Sequence, residues 1–168
     1  MTLVFGYGSN MDKEQMTVRC PAAEKVGNAV LRNYDLCFPR RSSNRNCGVS
    51  SVVAAQGREV WGVVHRLNDD DLRSLDRSEG YRSNRPTAQN SYNRVPIMVE
   101  MDGELTEVQI YLAVGTQNPP GPNADYIKHI RDGALQNDLP AAYQERLAEL
   151  SRDEQLWAVR KTSLSSGA

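Results

Sequence analysis

Histidine is nearly absent from this chain. There are two in 168 residues, His65 and His129. They fall in different predicted elements, far apart and without a supporting motif. A histidine-built metal site or a Ser–His triad therefore finds no support in the sequence. Cysteine is scarce too. Cys20, Cys37 and Cys47 are odd in number and lack metal-ligand spacing, which reads as reduced thiols in a cytoplasmic protein. Neither charge is in excess: 20 Lys+Arg stand against 21 Asp+Glu, a net charge of −1. Nothing here invites a polyanion, so no nucleic-acid partner is expected. No apolar run could span a bilayer, and Met1 leads straight into a short strand without the basic start of a signal peptide, so no membrane partner is expected either. Internal repeats, low-complexity tracts and linkers are also missing. That leaves one domain over residues 1–160, with a mobile tail at 161–168.

What is present alternates between strand and helix signals. "TLVFGYGSNM" at 2–11 starts as an apolar strand and stops at two glycines. Gly6 and Gly8 offer backbone angles that a side chain would forbid, and Ser9 and Asn10 are helix-capping residues before "MDKEQMTVR". Residues 24–38 read as a strand, "PRRSSNRNCG" as a polar loop, and "VSSVVAA" and "EVWGVVHRL" as two strands joined through "QGR". Asn68 followed by Asp69, Asp70 and Asp71 is a strong helix start, and Gly80 a natural stop. Residues 81–91 form a long polar loop. Asp102-Gly103 marks a hairpin between "YNRVPIMVEM" and "LTEVQIYLAV". Two helices, "ADYIKHIRDGALQN" and "PAAYQERLAEL", follow on either side of "DLP". Strands early and helices late predict an α+β domain, a mixed sheet or partial barrel with helices at its edge.

Two features carry chemistry. The junction at 6–10 exposes backbone N–H groups that suit a small carboxylate, with an ordinary strand–turn–helix as the alternative. It matches neither glycine signature of a nucleotide site: a third glycine and a Gly-Lys-Ser/Thr are both missing. Glu79 is the second. It follows Leu72 and Leu75 at helical spacing, so it shares their buried face. It also sits in the last turn, where the helix dipole is negative. Both effects raise a carboxyl pKa and suit a general base near neutral pH. The alternative is a helix frayed before 79, with Glu79 solvated or paired to an arginine.

"FGYGSNM", "GREVWGVVHRLNDDDLRSLDRSEG" and "PPGPNADYIKHIRDGALQNDLPAAYQERL", in that order, resemble the γ-glutamylcyclotransferase family over most of the chain. The resemblance implies a small mixed β-barrel with flanking helices. It implies an enzyme in which the α-amine of a γ-glutamyl compound attacks its own γ-carbonyl. 5-Oxoproline forms and a free amine or amino acid leaves, without cofactor or metal. Glu79 matches the family's catalytic glutamate. Gly6, Tyr7, Gly8, Ser9 and Asn10 match its substrate loop, and Tyr92, Tyr111 and Tyr126 its pocket tyrosines. For the three tyrosines the alternative is core packing with a satisfied hydroxyl. The expected partner is a small γ-glutamyl molecule, and the assembly a monomer or homodimer. Two other functions compete: a carboxylate binder of the same fold with no chemistry, and an RNA-binding barrel, which the balanced charge opposes. The chain departs from the pattern in two places. The stretch between Glu79 and Tyr92 is long, and is expected to overhang the site and select the leaving amine. A Gly-Gly is replaced by Cys47-Gly48. Arg40 and Arg45 just before it could meet an acidic substrate or belong to a solvated loop.

Overall fold

A computed structural model describes residues 1–150. Residues 151–160, assigned above to the domain, and the 161–168 tail lie outside the described residues. The strands are β1 (Thr2–Gly6), β2 (Glu24–Ser42), β3 (Cys47–Leu67), β4 (Tyr92–Met101) and β5 (Glu104–Ala113). The helices are α1 (Lys13–Arg19), α2 (Asp69–Ser78), α3 (Ala124–Gln136) and α4 (Ala141–Leu150), with 3-10 turns at Ser9–Met11 and Thr87–Gln89. The strands close into a barrel in the order β1-β3-β2-β4-β5. Closure is mixed: β5 meets β1 in parallel at Val4↔Gln109, and the other pairs are antiparallel. This is the expected α+β architecture. No helix among the described residues is long and apolar enough to cross a membrane.

Two strand boundaries differ from expectation. β2 runs to Ser42 rather than stopping at 38, because Arg41 still pairs with Gly48 and Ser42 with Cys47. β3 is one strand, not two. "QGR" is an irregularity inside it: pairing jumps from Arg32↔Glu59 to Tyr34↔Ala54. Asn33 (φ 63°) and Gly57 (φ 79°) turn the backbone there, and the Gly57 N–H donates to Asn33 Oδ1 at 3.1 Å. The hairpin is as expected, with Asp102 (φ 51°) and Gly103 (φ 79°) giving the left-handed pair a tight two-residue turn needs.

The barrel interior and the α3 face share one core. Phe5, Leu31, Val60, Val63 and Ile110 meet Met11, Ile127, Ile130 and Leu147 there. A smaller cluster of Val4, Met16, Cys20, Leu67, Leu75 and Tyr111 pins α1 and α2 to the outside of β1 and β5. Leu75 is fully buried in it, so the end of α2 is held at the mouth of the barrel.

Candidate active site

The β1–α1 junction and the end of α2 meet at one cleft. It is lined by Phe5, all of 6–10, Ser50, Glu79, Tyr92, Tyr111 and Tyr126. Glu79, the 6–10 junction, Tyr92, Tyr111 and Tyr126 are therefore brought together, whereas Arg40 and Arg45 are not in the lining. The cavity is narrow, about 30 Å³.

Glu79 is the C-terminal cap of α2, and its side chain is 11% exposed. The helix does not fray before it. The Glu79 N–H reaches the Leu75 carbonyl at 2.9 Å. Gly80 takes φ 68°, its N–H donates to the Arg77 carbonyl, and the Tyr81 N–H to the Asp76 carbonyl. That pair of bonds is a Schellman termination, which needs a residue at ease with positive φ. At the other end Asn68 Oδ1 accepts from the Asp71 N–H at 2.8 Å. A helix fixed at both ends aims Glu79 inward. Asn10 Nδ2 donates to Glu79 Oε1 at 2.8 Å, and the Arg19 guanidinium lies 3.6 Å from the same oxygen. Burial pushes the carboxyl above the usual range. The Asn10 bond, Arg19 and Arg45 pull it back, and the Asp76 charge raises it further.

The junction holds a different arrangement from the one expected. Asp12, not Ser9 or Asn10, caps α1, with its side chain accepting from the Gln15 N–H. Asn10 is turned to Glu79 instead, and Arg19 Nη1 donates to its Oδ1 at 2.7 Å. Neither Gly6 nor Gly8 has a positive φ, but Gly8 takes φ −119° and ψ −126°, outside the usual helical and extended regions, as expected of a glycine there. A Cβ on Gly8 would lie 2.3 Å from Ser50 Oγ. The 3-10 turn at Ser9–Met11 leaves its first N–H groups without intrahelical acceptors.

The tyrosine rings line the cleft, yet each hydroxyl is tied to protein. Tyr7 donates to the Tyr111 carbonyl (2.6 Å), Tyr92 to the Ser50 carbonyl (2.7 Å), Tyr111 to Asp76 Oδ1 (2.6 Å) and Tyr126 to Ser50 Oγ (2.8 Å). The satisfied hydroxyls match the packing alternative, while the residues still line the cleft. Each hydroxyl spends its proton on protein, so toward a ligand it can act only as an acceptor. Asp76 is fixed in turn by Arg94, 2.9 Å away.

Sequence reasoning missed Ser50 and Asp76. Asp76 lies one turn before Glu79, a signal that i, i+3 spacing could have given. Ser50 is one of two adjacent serines in a mostly apolar strand run and gave none. Arg45 is not a solvated loop residue: its guanidinium stacks 5.0 Å from the Tyr126 ring centroid and donates to Gln15 Oε1. Arg40 ties β2 to the Val114 carbonyl and Ser91 Oγ. The 81–91 loop contributes no residue to the lining of the cleft. It folds around buried Asn90, whose side chain bonds Arg82, Arg85 and Asn93. Neither histidine lines the cleft. Burial pushes the Cys20 thiol up to about 11, which leaves it a poor nucleophile.

Comparison with known proteins gives concordant findings. The family model described as "Gamma-glutamyl cyclotransferase, AIG2-like" matches residues 4–130. The chain is 33% identical over 157 residues to Gamma-glutamylcyclotransferase of Mus musculus, covering 90% of this chain and 80% of that protein. It is 32% identical over the same length to the Homo sapiens Gamma-glutamylcyclotransferase, with the same coverage. A solved structure of a Gamma-glutamyl cyclotransferase superposes with a TM-score of 0.78 at 32% identity, covering 88% of this chain and 86% of that one.

Proposed function

The chain belongs to the Gamma-glutamyl cyclotransferase, AIG2-like family and its function is of the gamma-glutamylcyclotransferase type, and from that premise we propose how its residues carry the reaction. Glu79 removes a proton from the α-ammonium of a γ-glutamyl compound. The freed nitrogen attacks the γ-carbonyl carbon of the same molecule and closes the five-membered lactam. Glu79 then returns that proton to the departing nitrogen, and the ring nitrogen gives up its second surplus proton to the leaving amine, so 5-oxoproline and an ammonium form and no water is consumed. The junction at Gly6, Tyr7, Gly8, Ser9 and Asn10 holds the glutamyl carboxylate through backbone N–H groups. Tyr92, Tyr111 and Tyr126 offer acceptor lone pairs and rigid walls that fold the glutamyl chain back on itself. No step calls for a metal or cofactor. The three cysteines, all buried thiols, support a reducing, cytoplasmic setting.

One observation carries this mechanism. The substrate loop and the glutamate, 69 residues apart, are joined by a 2.8 Å hydrogen bond at the same cleft. A protein that only bound carboxylates would gain nothing from a second, buried carboxylate there. The test is a panel of γ-glutamyl amino acids and amines, assayed for 5-oxoproline after exhaustive chelation. Release from at least one compound, undiminished by the chelator, is expected. No 5-oxoproline from any of them would support the binder. Activity restored only by added Zn²⁺ or Mg²⁺ would overturn the metal-free mechanism.

A further inference from the structure

Ser50 lies on β3, 4% exposed, and no role has been given to it above. Its three polar atoms all meet cleft tyrosines. Its carbonyl accepts from Tyr92 at 2.7 Å, its N–H donates to the Tyr126 oxygen at 2.9 Å, and its Oγ lies 2.8 Å from that same oxygen. The two hydroxyls carry two protons and share one hydrogen bond. Whichever way that bond runs, one proton is left over, and no acceptor for it is found among the described residues. The phenol is the stronger acid, so it donates to Ser50 Oγ and the serine proton remains. The hydroxyl lies against the bare backbone of Gly8, where a Cβ would come within 2.3 Å of Oγ. The other tyrosine protons are committed to protein acceptors. Among the lining side chains the donors left are the Ser9 hydroxyl, the second Asn10 Nδ2–H and the Ser50 hydroxyl, and of the three only Ser50 is buried, at the floor formed with Tyr92 and Tyr126.

Resting on the cyclising function above, we propose that the Ser50 hydroxyl is the side-chain donor to the γ-carbonyl oxygen of the substrate. When the α-nitrogen bonds to the γ-carbon, the carbonyl π pair moves onto that oxygen. The Ser50 O–H hydrogen bond to it strengthens, and no proton is transferred. Collapse returns the pair and breaks the bond to the leaving nitrogen. A neutral hydroxyl suits a carbonyl that is neutral before reaction and anionic during it. The permanent carboxylate is better served by several N–H groups at the junction. The run from Ser50 N–H through the Tyr126 hydroxyl to Ser50 Oγ polarises the final donor.

The test compares kcat and KM for Ser50→Ala and Tyr126→Phe with the unchanged protein, on a γ-glutamyl compound that the latter converts. Ser50→Ala should lose roughly 10- to 100-fold in kcat, below the full range for an oxyanion donor because the Tyr126 proton partly substitutes. KM should stay within about threefold. Tyr126→Phe keeps the serine proton and should lose less. If the alanine variant does not fold, Ser50→Cys keeps the size with a weak donor and should show the same kcat loss. A Ser50 variant with kcat within about twofold of the unchanged protein, or with its loss wholly in KM, would overturn the proposal. Failure of the unchanged protein to release 5-oxoproline would instead overturn the functional reading.

Discussion

Glu79→Gln is expected to lower 5-oxoproline release by roughly 10²–10⁴-fold, the range for a lost general acid–base group, without unfolding the protein. Glutamine keeps the shape and can still accept from Asn10 Nδ2, which donates to Oε1 in the native site. Stability should hold or rise slightly, and the sign follows from the carboxyl. Burial raises its folded pKa above the ordinary value, so the ionised form is the one the fold disfavours. That penalty is absent below the unfolded pKa. It develops as pH rises from the unfolded pKa through the folded one and is fully present above the folded pKa. The native protein should therefore lose some stability across that window, and the glutamine variant should not. The rate has the opposite dependence, because the base must be ionised. The native rate should rise with pH through an apparent pKa above that of a free glutamate, and the variant should lack that limb. Asn10, Arg19, Arg45 and Asp76 all act on this carboxyl, so the limb reports the whole cluster. Melting temperature, substrate binding and turnover on one sample check all three points. A folded, substrate-binding variant with near-native turnover would remove Glu79 as the base.

Gly62→Ala should give the largest loss of stability. Gly62 pairs with Ala29 in the middle of β3, where its backbone is crossed by β1. An added Cβ would lie 2.3 Å from the Gly6 carbonyl oxygen and 2.6 and 2.7 Å from the Phe5 ring. Neither neighbour can yield easily. The carbonyl belongs to β1, and Phe5 is 1% exposed in the core. Overpacking of this kind costs about 3 kcal/mol, which for a domain of this size lowers Tm by roughly 6–12 °C. Gly6 opens the substrate loop, so activity should fall with it. Thermal unfolding followed by circular dichroism reads the effect. A variant melting within about 2 °C of the native protein would show that β1 shifts without penalty.

Most of this architecture was legible where local chemistry and tertiary role agree. Asn68, the three aspartates and Gly80 write both ends of α2 into the sequence, and α2 carries Glu79. Asp102-Gly103 wrote the hairpin in the same way. Legibility failed where a residue acts at a distance. Asn10 has the chemistry of a cap, and local reasoning makes it one. In the fold its amide is claimed by Glu79 and Arg19, and Asp12 caps α1 instead. Gly62 in "EVWGVV" has no local purpose, because its reason is the β1 carbonyl and ring above it. Ser50 reads as a polar interruption of an apolar strand, and its bonds reach residues 42 and 76 positions away. The 81–91 loop was read from its length and polarity. Its actual organiser, Asn90, is one polar residue among many in the sequence.

The central claim is that the α-amine of the substrate, and not water, attacks the γ-carbonyl while Glu79 handles the proton. Turnover of a γ-glutamyl compound in ¹⁸O-enriched water, with the products weighed by mass spectrometry, tests it directly. The mechanism predicts one 5-oxoproline for each amine released, with no ¹⁸O in the lactam, and almost none of either from the Glu79→Gln protein. Free glutamate carrying one ¹⁸O in its γ-carboxylate, formed in step with the amine, would contradict it.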